Sequence, residues 1–216
     1  MSLLYLRHGK TAFNDSGPDG PPERFRAWAN IPLTEDGLEL ARKAGEKLKN
    51  SGIAGIISSP LDRALHTAHA VSAATGVPVS VDHNLLPWHL GEFTGKSVAE
   101  SIPQLQRYLK GPGIHEAVPG GESLADFLRR QAELLNRYGQ QAQDKDLLLV
   151  AHHRNIQGAK FLGSGDKELV MDGPPAPGEV FPIPSTNVDV EAKLKALGQS
   201  SPDDKERQDM LRSLNS

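Results

Sequence analysis

Short apolar runs recur along the chain with helix-like stretches between them, and this alternation limits the possible folds more than any other feature. The runs Leu3–Leu6, Ile53–Ile57 and Leu147–Ala151 are too short to be helices and read as strands of a largely parallel sheet covered by helices. A weaker strand is expected over Val77–Val81, where Pro78 suits only a strand end or an edge, and a last one over Gly178–Ile183. Between the first two runs, Thr34 caps a helix with Glu35 and Asp36 in its first turn, expected to reach about Ser51. A second helix follows Pro60, with Leu61, Ala64, Leu65, Ala68 and Val71 forming one apolar face. A third is expected from Glu122 to about Tyr138, after the break at Pro119-Gly120-Gly121. Gly17–Pro22, Gly111–Gly113 and Gly173–Gly178 read as surface loops.

The chemistry lies directly after the three strongest strands. They end in Arg7-His8-Gly9, in Ser58-Ser59-Pro60 with Arg63 one helical turn on, and in His152-His153-Arg154. Ligands of open parallel sheets bind at the carboxyl ends of the strands, so these segments should meet in one crevice. Guanidinium groups pair with phosphate oxygens and stay charged at any working pH, so the expected ligand is a phosphate. Nearby positive charge keeps an imidazole neutral and able to attack phosphorus. A second imidazole, protonated under the influence of bound substrate, could donate to the phosphoryl oxygens. That chemistry requires no metal or other cofactor.

Composition removes several alternatives. Twenty-four Lys and Arg against 27 Asp and Glu give a formal charge of -3, which favours neither nucleic acid nor an anionic membrane as partner. The absence of cysteine excludes disulfides, thiolate zinc sites and a cysteine nucleophile. The apolar start Met1–Leu6 is too short for a signal peptide or a membrane span, so a cytoplasmic protein is expected. Gly9-Lys10-Thr11 is no nucleotide P-loop, because the glycine required five residues earlier is Leu4. His66 and His69 lie off the apolar face of their helix without an acidic companion and read as solvated. Arg24 and Arg26 are secondary candidates for anion binding; Phe25 and Trp28 either cap the substrate loop or pack it.

Several ordered motifs run through residues 1–184: Leu6-Arg7-His8-Gly9-Lys10-Thr11 with Asn14, Ile31-Pro32-Leu33-Thr34 with Gly37, Ser58-Ser59-Pro60-Leu61-Asp62-Arg63-Ala64 with Thr67-Ala68, Pro119-Gly120-Gly121-Glu122-Ser123, and Val150-Ala151-His152. Together they resemble the histidine phosphatase superfamily, the phosphoglycerate mutase-like proteins. The resemblance implies a three-layer α/β/α sandwich with a mostly parallel central sheet. It implies a phosphohistidine on His8, with Arg7, Arg63 and His152 binding and polarising the phosphoryl group. Asn14 and the backbone beside His153 would complete the substrate site. The implied activity is phosphatase or mutase, on a phosphorylated small molecule or a phosphohistidine protein.

One departure from the family pattern bears on the leaving group. Relatives commonly carry a proton-donating acid shortly before a Gly-acid-aromatic-x-Gly segment; in Pro87-Trp88-His89-Leu90-Gly91-Glu92-Phe93-Thr94-Gly95 the equivalent residue is Pro87. Glu92 is the first candidate to replace it, with His89 and Glu122 behind. If none operates, anhydrides, aryl phosphates or phosphohistidine should react much faster than sugar or glycerate phosphates. The alternatives to a phosphatase are a mutase, disfavoured by the short Gly95–Gly121 segment, and a non-catalytic phosphate-binding protein. Residues 1–186 are expected to form the α/β domain, and 187–216 a polar extension with helices at Val188–Leu197 and Pro202–Leu214.

Overall fold

The computed structural model describes residues 2–14, 20–164, 169, 176–183 and 188–199. Its strands are β1 (Leu3–Arg7), β2 (Ile53–Ser58), β3 (Val79–Val81), β4 (Asp146–Ala151) and β5 (Val180–Ile183). They form one sheet in the order β3-β2-β4-β1-β5, parallel except for β5, which runs antiparallel to β1. The expected strands are all present, and the two that carry or adjoin proline, β5 and β3, are the edges. Pro182 sits within β5 and Pro78 just before β3, where a missing N–H costs no ladder bond from a central strand.

The helices are α1 (Glu35–Leu48), α2 (Asp62–Thr75), α3 (Val98–Leu105), α4 (Leu124–Gln141), α5 (His153–Gly163) and α6 (Val190–Gln199). Strand alternation divides the core between the two faces of the sheet. Leu148 and Val150 of β4 join Leu6, Ile56, Ala44, Ala64, Ala68 and Val71 under α1 and α2. Leu147, Leu149 and Ala151 join Tyr5, Ile57, Phe127, Leu128, Ile156 and Ala159 under α4 and α5. The result is the three-layer α/β/α arrangement, with β4 buried at its centre.

The local chemistry sets the helix ends. Thr34 accepts from the Gly37 amide at 3.1 Å to cap α1, and Ser123 accepts from the Asp126 amide at 3.0 Å to cap α4. α4 therefore begins after Ser123 rather than at Glu122. Helix α5 carries no clean apolar stripe, since Asn155, Gln157 and Gly158 are buried beside Ile156, Ala159 and Phe161, and hydrophobic periodicity does not reveal it.

The loop after β1 meets the first turn of α1 backbone to backbone. A Cβ on Gly9 would lie 2.2 Å from the Gly37 carbonyl oxygen, and one on Gly37 would lie 2.1 Å from that of Lys10. Glycine at both positions is a steric requirement, and it fixes where His8 emerges from the sheet.

The segment after residue 187 is attached to the same core. Leu194 and Leu197 of α6 are buried in the cluster that holds α4 and α5, and Arg129 donates from Nε to Glu191 at 2.8 Å. The expected helix at Pro202–Leu214 lies outside the described residues, as do parts of the Gly17–Pro22 and Gly173–Gly178 loops. Among the described residues no helix is long and apolar enough to cross a membrane.

Candidate active site

Because β4 lies between β1 and β2, the three chemistry-bearing strand ends are adjacent. The ladder continues one residue past the strands: the His8 amide donates to Ala151 O and the Ser59 amide to Val150 O, each at 3.0 Å. His152, at the end of the central strand, is thus flanked by His8 and Ser59. The His8 and His152 rings stand 5.1 Å apart at an interplanar angle of 60°. Two imidazoles separated by 143 residues of sequence share one cleft.

Hydrogen bonds fix the state of each ring. Nδ1 of His8 is 2.7 Å from the Gly9 carbonyl oxygen. A carbonyl only accepts, so Nδ1 carries the proton and Nε2 holds the bare lone pair. For His152, Arg63 Nε donates to Nδ1 at 3.2 Å, which leaves the proton on Nε2, 2.8 Å from Ser59 Oγ. Burial, then the charges of Arg63 and Arg26, push the His8 pKa well below the ordinary histidine value, against the Gly9 bond that favours its cation. Burial and Arg63, with His8 and Arg26, do the same for His152. Both rings are neutral in the free protein.

Arg63 organises one side of the cleft. Its Nη2 donates to Ala27 O at 2.7 Å and its Nη1 to Ala29 O at 2.6 Å, tying the 24–30 loop to α2. Ala27 has φ 38°, the only positive φ of a non-glycine among the described residues, a conformation that costs an alanine about 1–2 kcal/mol. Burial lowers the pKa of Arg63 to about 9 and, with Arg26, that of Arg7 to about 10. Arg7 is buried at the end of β1. It does not line the open cleft, but its charge acts on His8 and on His153. Thr67, on α2, accepts from the Gly9 amide at 3.2 Å and donates to Arg63 O at 2.7 Å, so one hydroxyl couples the His8 loop to the Arg63 turn.

His8, Arg63, His152 and His153 all line the cleft, together with Arg24, Arg26, Arg154 and Glu23. Besides Arg7, two sequence-based site assignments do not line it. Asn14 spends its Oδ1 on the turn it closes, accepting from the Thr11 amide at 2.8 Å and the Thr11 hydroxyl at 3.1 Å, which is local turn chemistry. Glu92 is solvent-exposed on a turn whose amide donates to Pro119 O, and it is absent from the cleft lining. The other proposed acids are engaged elsewhere. Glu122 is clamped by Arg130 at 2.6 Å and accepts from the His89 amide at 2.8 Å, while His89 packs edge-on against Trp28 at 4.2 Å. Pro87 lines the cleft, and its carbonyl accepts from Trp28 Nε1 and Arg130 Nη2, both at 2.8 Å.

Sequence reasoning did not single out Ser59 or Glu23, and treated Arg26 as secondary. Ser59 was detectable as the residue closing the strand beside His152. Glu23 and Arg26 enter through the path of the loop, which no periodicity encodes. His66 and His69 are exposed on α2, and no group of three or more potential metal ligands occurs among the described residues.

Known proteins resemble this chain in sequence and in fold. The family described as histidine phosphatase superfamily (branch 1) matches residues 3–160. The bifunctional protein Rv2228c of Mycobacterium tuberculosis is 34% identical over 155 residues, covering 69% of this chain and 40% of that protein. The chain therefore spans about two-fifths of the length of that relative. A probable phosphoglycerate mutase GpmB of Yersinia pestis is 28% identical over 155 residues, covering 70% of this chain and 69% of its own. Among solved structures, mycobacterial glucosyl-3-phosphoglycerate phosphatase Rv2419c superposes with a TM-score of 0.67 at 27% identity, over 82% of this chain and 87% of that one.

Proposed function

From membership of branch 1 of the histidine phosphatase superfamily, we propose that this chain is a metal-independent phosphatase that hydrolyses a phosphorylated substrate through a phosphohistidine on His8. The observation that carries this reading is the bare Nε2 of His8, created by the Nδ1 bond to Gly9 O, facing a cleft lined by guanidinium groups. Nε2 attacks phosphorus, the bond to the leaving oxygen breaks, and water then releases inorganic phosphate and restores the ring. Arg7 and Arg63 supply the positive charge that the transferring phosphoryl group requires. His152 donates from Nε2 as its neutral tautomer: a charged phosphoryl oxygen is a stronger acceptor than Ser59 Oγ and takes that hydrogen as negative charge develops. The sequence-based suggestion of a protonated second ring is then unnecessary.

Hydrolysis is favoured over mutase action by the segment from Gly95 to Gly121. Its apolar residues Ile102, Leu105, Tyr108, Leu109, Ile114 and Val118 are buried in the main core, and of this stretch only Val98 lines the cleft. Nothing in it is left over to close on and retain a phosphorylated intermediate. Aryl phosphate hydrolysis by the purified protein, with rapid-quench trapping of an acid-labile phosphoryl adduct, tests the reading. His8→Ala should lower turnover at least ~10³-fold and abolish the adduct. Binding of phosphate without turnover by the unaltered protein would instead identify a non-catalytic phosphate-binding member.

A further inference from the structure

The cleft contains more anion-binding capacity than one phosphoryl group uses. Arg26 lines it with its side chain only 11% exposed. Nη2 of Arg26 donates to Glu23 Oε1 at 2.9 Å, while Nη1 is buried with no hydrogen-bond partner. Nε2 of His153, in the same lining, is likewise buried and unpartnered. Buried polar groups left unsatisfied are costly; the Arg26 N–H calls for an acceptor, and His153 can donate to the same one in the tautomer that carries its proton on Nε2. Arg26 lines the cleft beside His8, Arg63, His152 and His153, near enough for its charge to lower the pKa of each of these and of Arg7.

The second observation concerns protons. Among the described residues Glu23 is the only carboxylate in the cleft lining, and it is held in an ion pair with Arg26. An alkoxide leaving group needs a proton as the bond breaks, and among the described residues no carboxylic acid lining the cleft is free to give one. A phosphate leaving from an anhydride needs none, and it brings an oxygen acceptor for the Nη1 of Arg26 that Glu23 does not reach. An aryl leaving group also needs no proton but offers nothing to the guanidinium.

We infer that the substrate is a phosphoanhydride, a diphosphate whose terminal phosphoryl group is transferred while the adjoining phosphate is held by Arg26 and His153. The inference rests on the phosphohistidine reading above. His8 Nε2 forms a bond to the terminal phosphorus as the bond from phosphorus to the bridging oxygen breaks, and the electron pair departs with the leaving phosphate. Water then attacks the phosphohistidine, the nitrogen–phosphorus pair returns to Nε2, and both water protons leave on the product as dihydrogen phosphate.

The test compares kcat/KM for inorganic pyrophosphate, ADP, p-nitrophenyl phosphate and glycerol phosphate, with a chelator present so that the diphosphates stay fully charged. Either pyrophosphate or ADP should exceed glycerol phosphate at least tenfold. Arg26→Gln should reduce the preference for diphosphate over p-nitrophenyl phosphate at least tenfold, in protein that melts within a few degrees of the unaltered chain. An inhibition assay on the unaltered protein removes dependence on the variant: methylenediphosphonate should inhibit p-nitrophenyl phosphate hydrolysis at least tenfold more tightly than methylphosphonate. Equal inhibition, an unchanged preference in Arg26→Gln, or glycerol phosphate turned over as fast as both diphosphates would overturn the inference. In each of these cases aryl phosphate hydrolysis would leave the phosphatase reading standing, whereas no hydrolysis of any of the four compounds would remove both.

Discussion

Replacing Thr67 with valine tests whether the two halves of the catalytic cleft are held in register by one hydroxyl. Thr67 is fully buried, and valine has nearly its shape, so the change removes hydrogen bonding with little effect on packing. The bond to Arg63 O matters least, because that carbonyl already belongs to the ladder of α2. The bond from the Gly9 amide at 3.2 Å matters more: without it an N–H is left unsatisfied in a closed interior, at a cost of about 1–3 kcal/mol. For a chain of this size about 2 kcal/mol corresponds to a fall in Tm of roughly 4–8 °C. The same loss frees the His8-Gly9 turn from the Arg63 turn, and a displacement of the nucleophile approaching 1 Å costs on the order of 10²-fold in rate. Thermal unfolding and aryl phosphate turnover should therefore fall together in Thr67→Val, and Thr67→Ser, which keeps the hydroxyl, should restore most of both. A valine variant with unchanged Tm and full activity would show that steric contact between Gly9 and Gly37 positions the nucleophile unaided.

Other perturbations have equally definite outcomes. The pKa values of His8, His152 and His153 are all held well below the ordinary histidine value of about 6.5, mainly by burial. The unfolded chain takes up protons at these rings below about pH 6.5 while the folded one does not, so stability falls with pH, by about 1 kcal/mol per ring between pH 6.5 and 5.5. Urea unfolding at the two pH values measures this, and a flat response would mean that the rings protonate in place. Pro87→Glu adds a carboxyl group on a residue that lines the cleft, and its main-chain contacts to Trp28 and Arg130 do not depend on the side chain. Glycerol phosphate turnover should rise at least ~10-fold, given that general acids contribute about 10²–10⁴; no gain would place the leaving group elsewhere. Arg130→Met removes donors from Leu86 O, Pro87 O and Glu122, leaving a largely buried carboxylate without its cation, and should cost about 3–5 kcal/mol. Differential scanning calorimetry should show Glu122→Gln recovering part of that loss, and a double variant no more stable than Arg130→Met alone would argue that the carbonyl contacts carry it all.

The central strands and the motif-bearing strand ends were legible because their information is local. Apolar runs define β1, β2 and β4, and sheet geometry places the segment after each in the crevice; this brings together His8, Arg63 from the first turn of α2, and His152. The same logic anticipated β3 as an edge, since proline cannot donate to a ladder; that β5 is the other edge came from the structure. Legibility ended where position depends on a loop's path or on a choice among hydrogen-bond partners. Glu92 and Asn14 had suitable chemistry, but the turn over Pro119 holds one in solvent and the Thr11 turn consumes the other's carbonyl oxygen. Sequence marks Arg26 only as a secondary candidate and does not single out Glu23; the strained Ala27 with the Arg63 bonds to Ala27 and Ala29 draws their loop over the cleft.

Sequence by itself therefore determined the sheet and the placing of two imidazoles at the carboxyl ends of its strands, because periodicity and strand-end placement are properties of short stretches. Tertiary structure alone decided which nitrogen of each imidazole carries the proton, and that Arg26 rather than Glu92 joins the site. Those outcomes depend on distances of about 3 Å between groups remote in the chain, and such distances exist only once the core has closed around them.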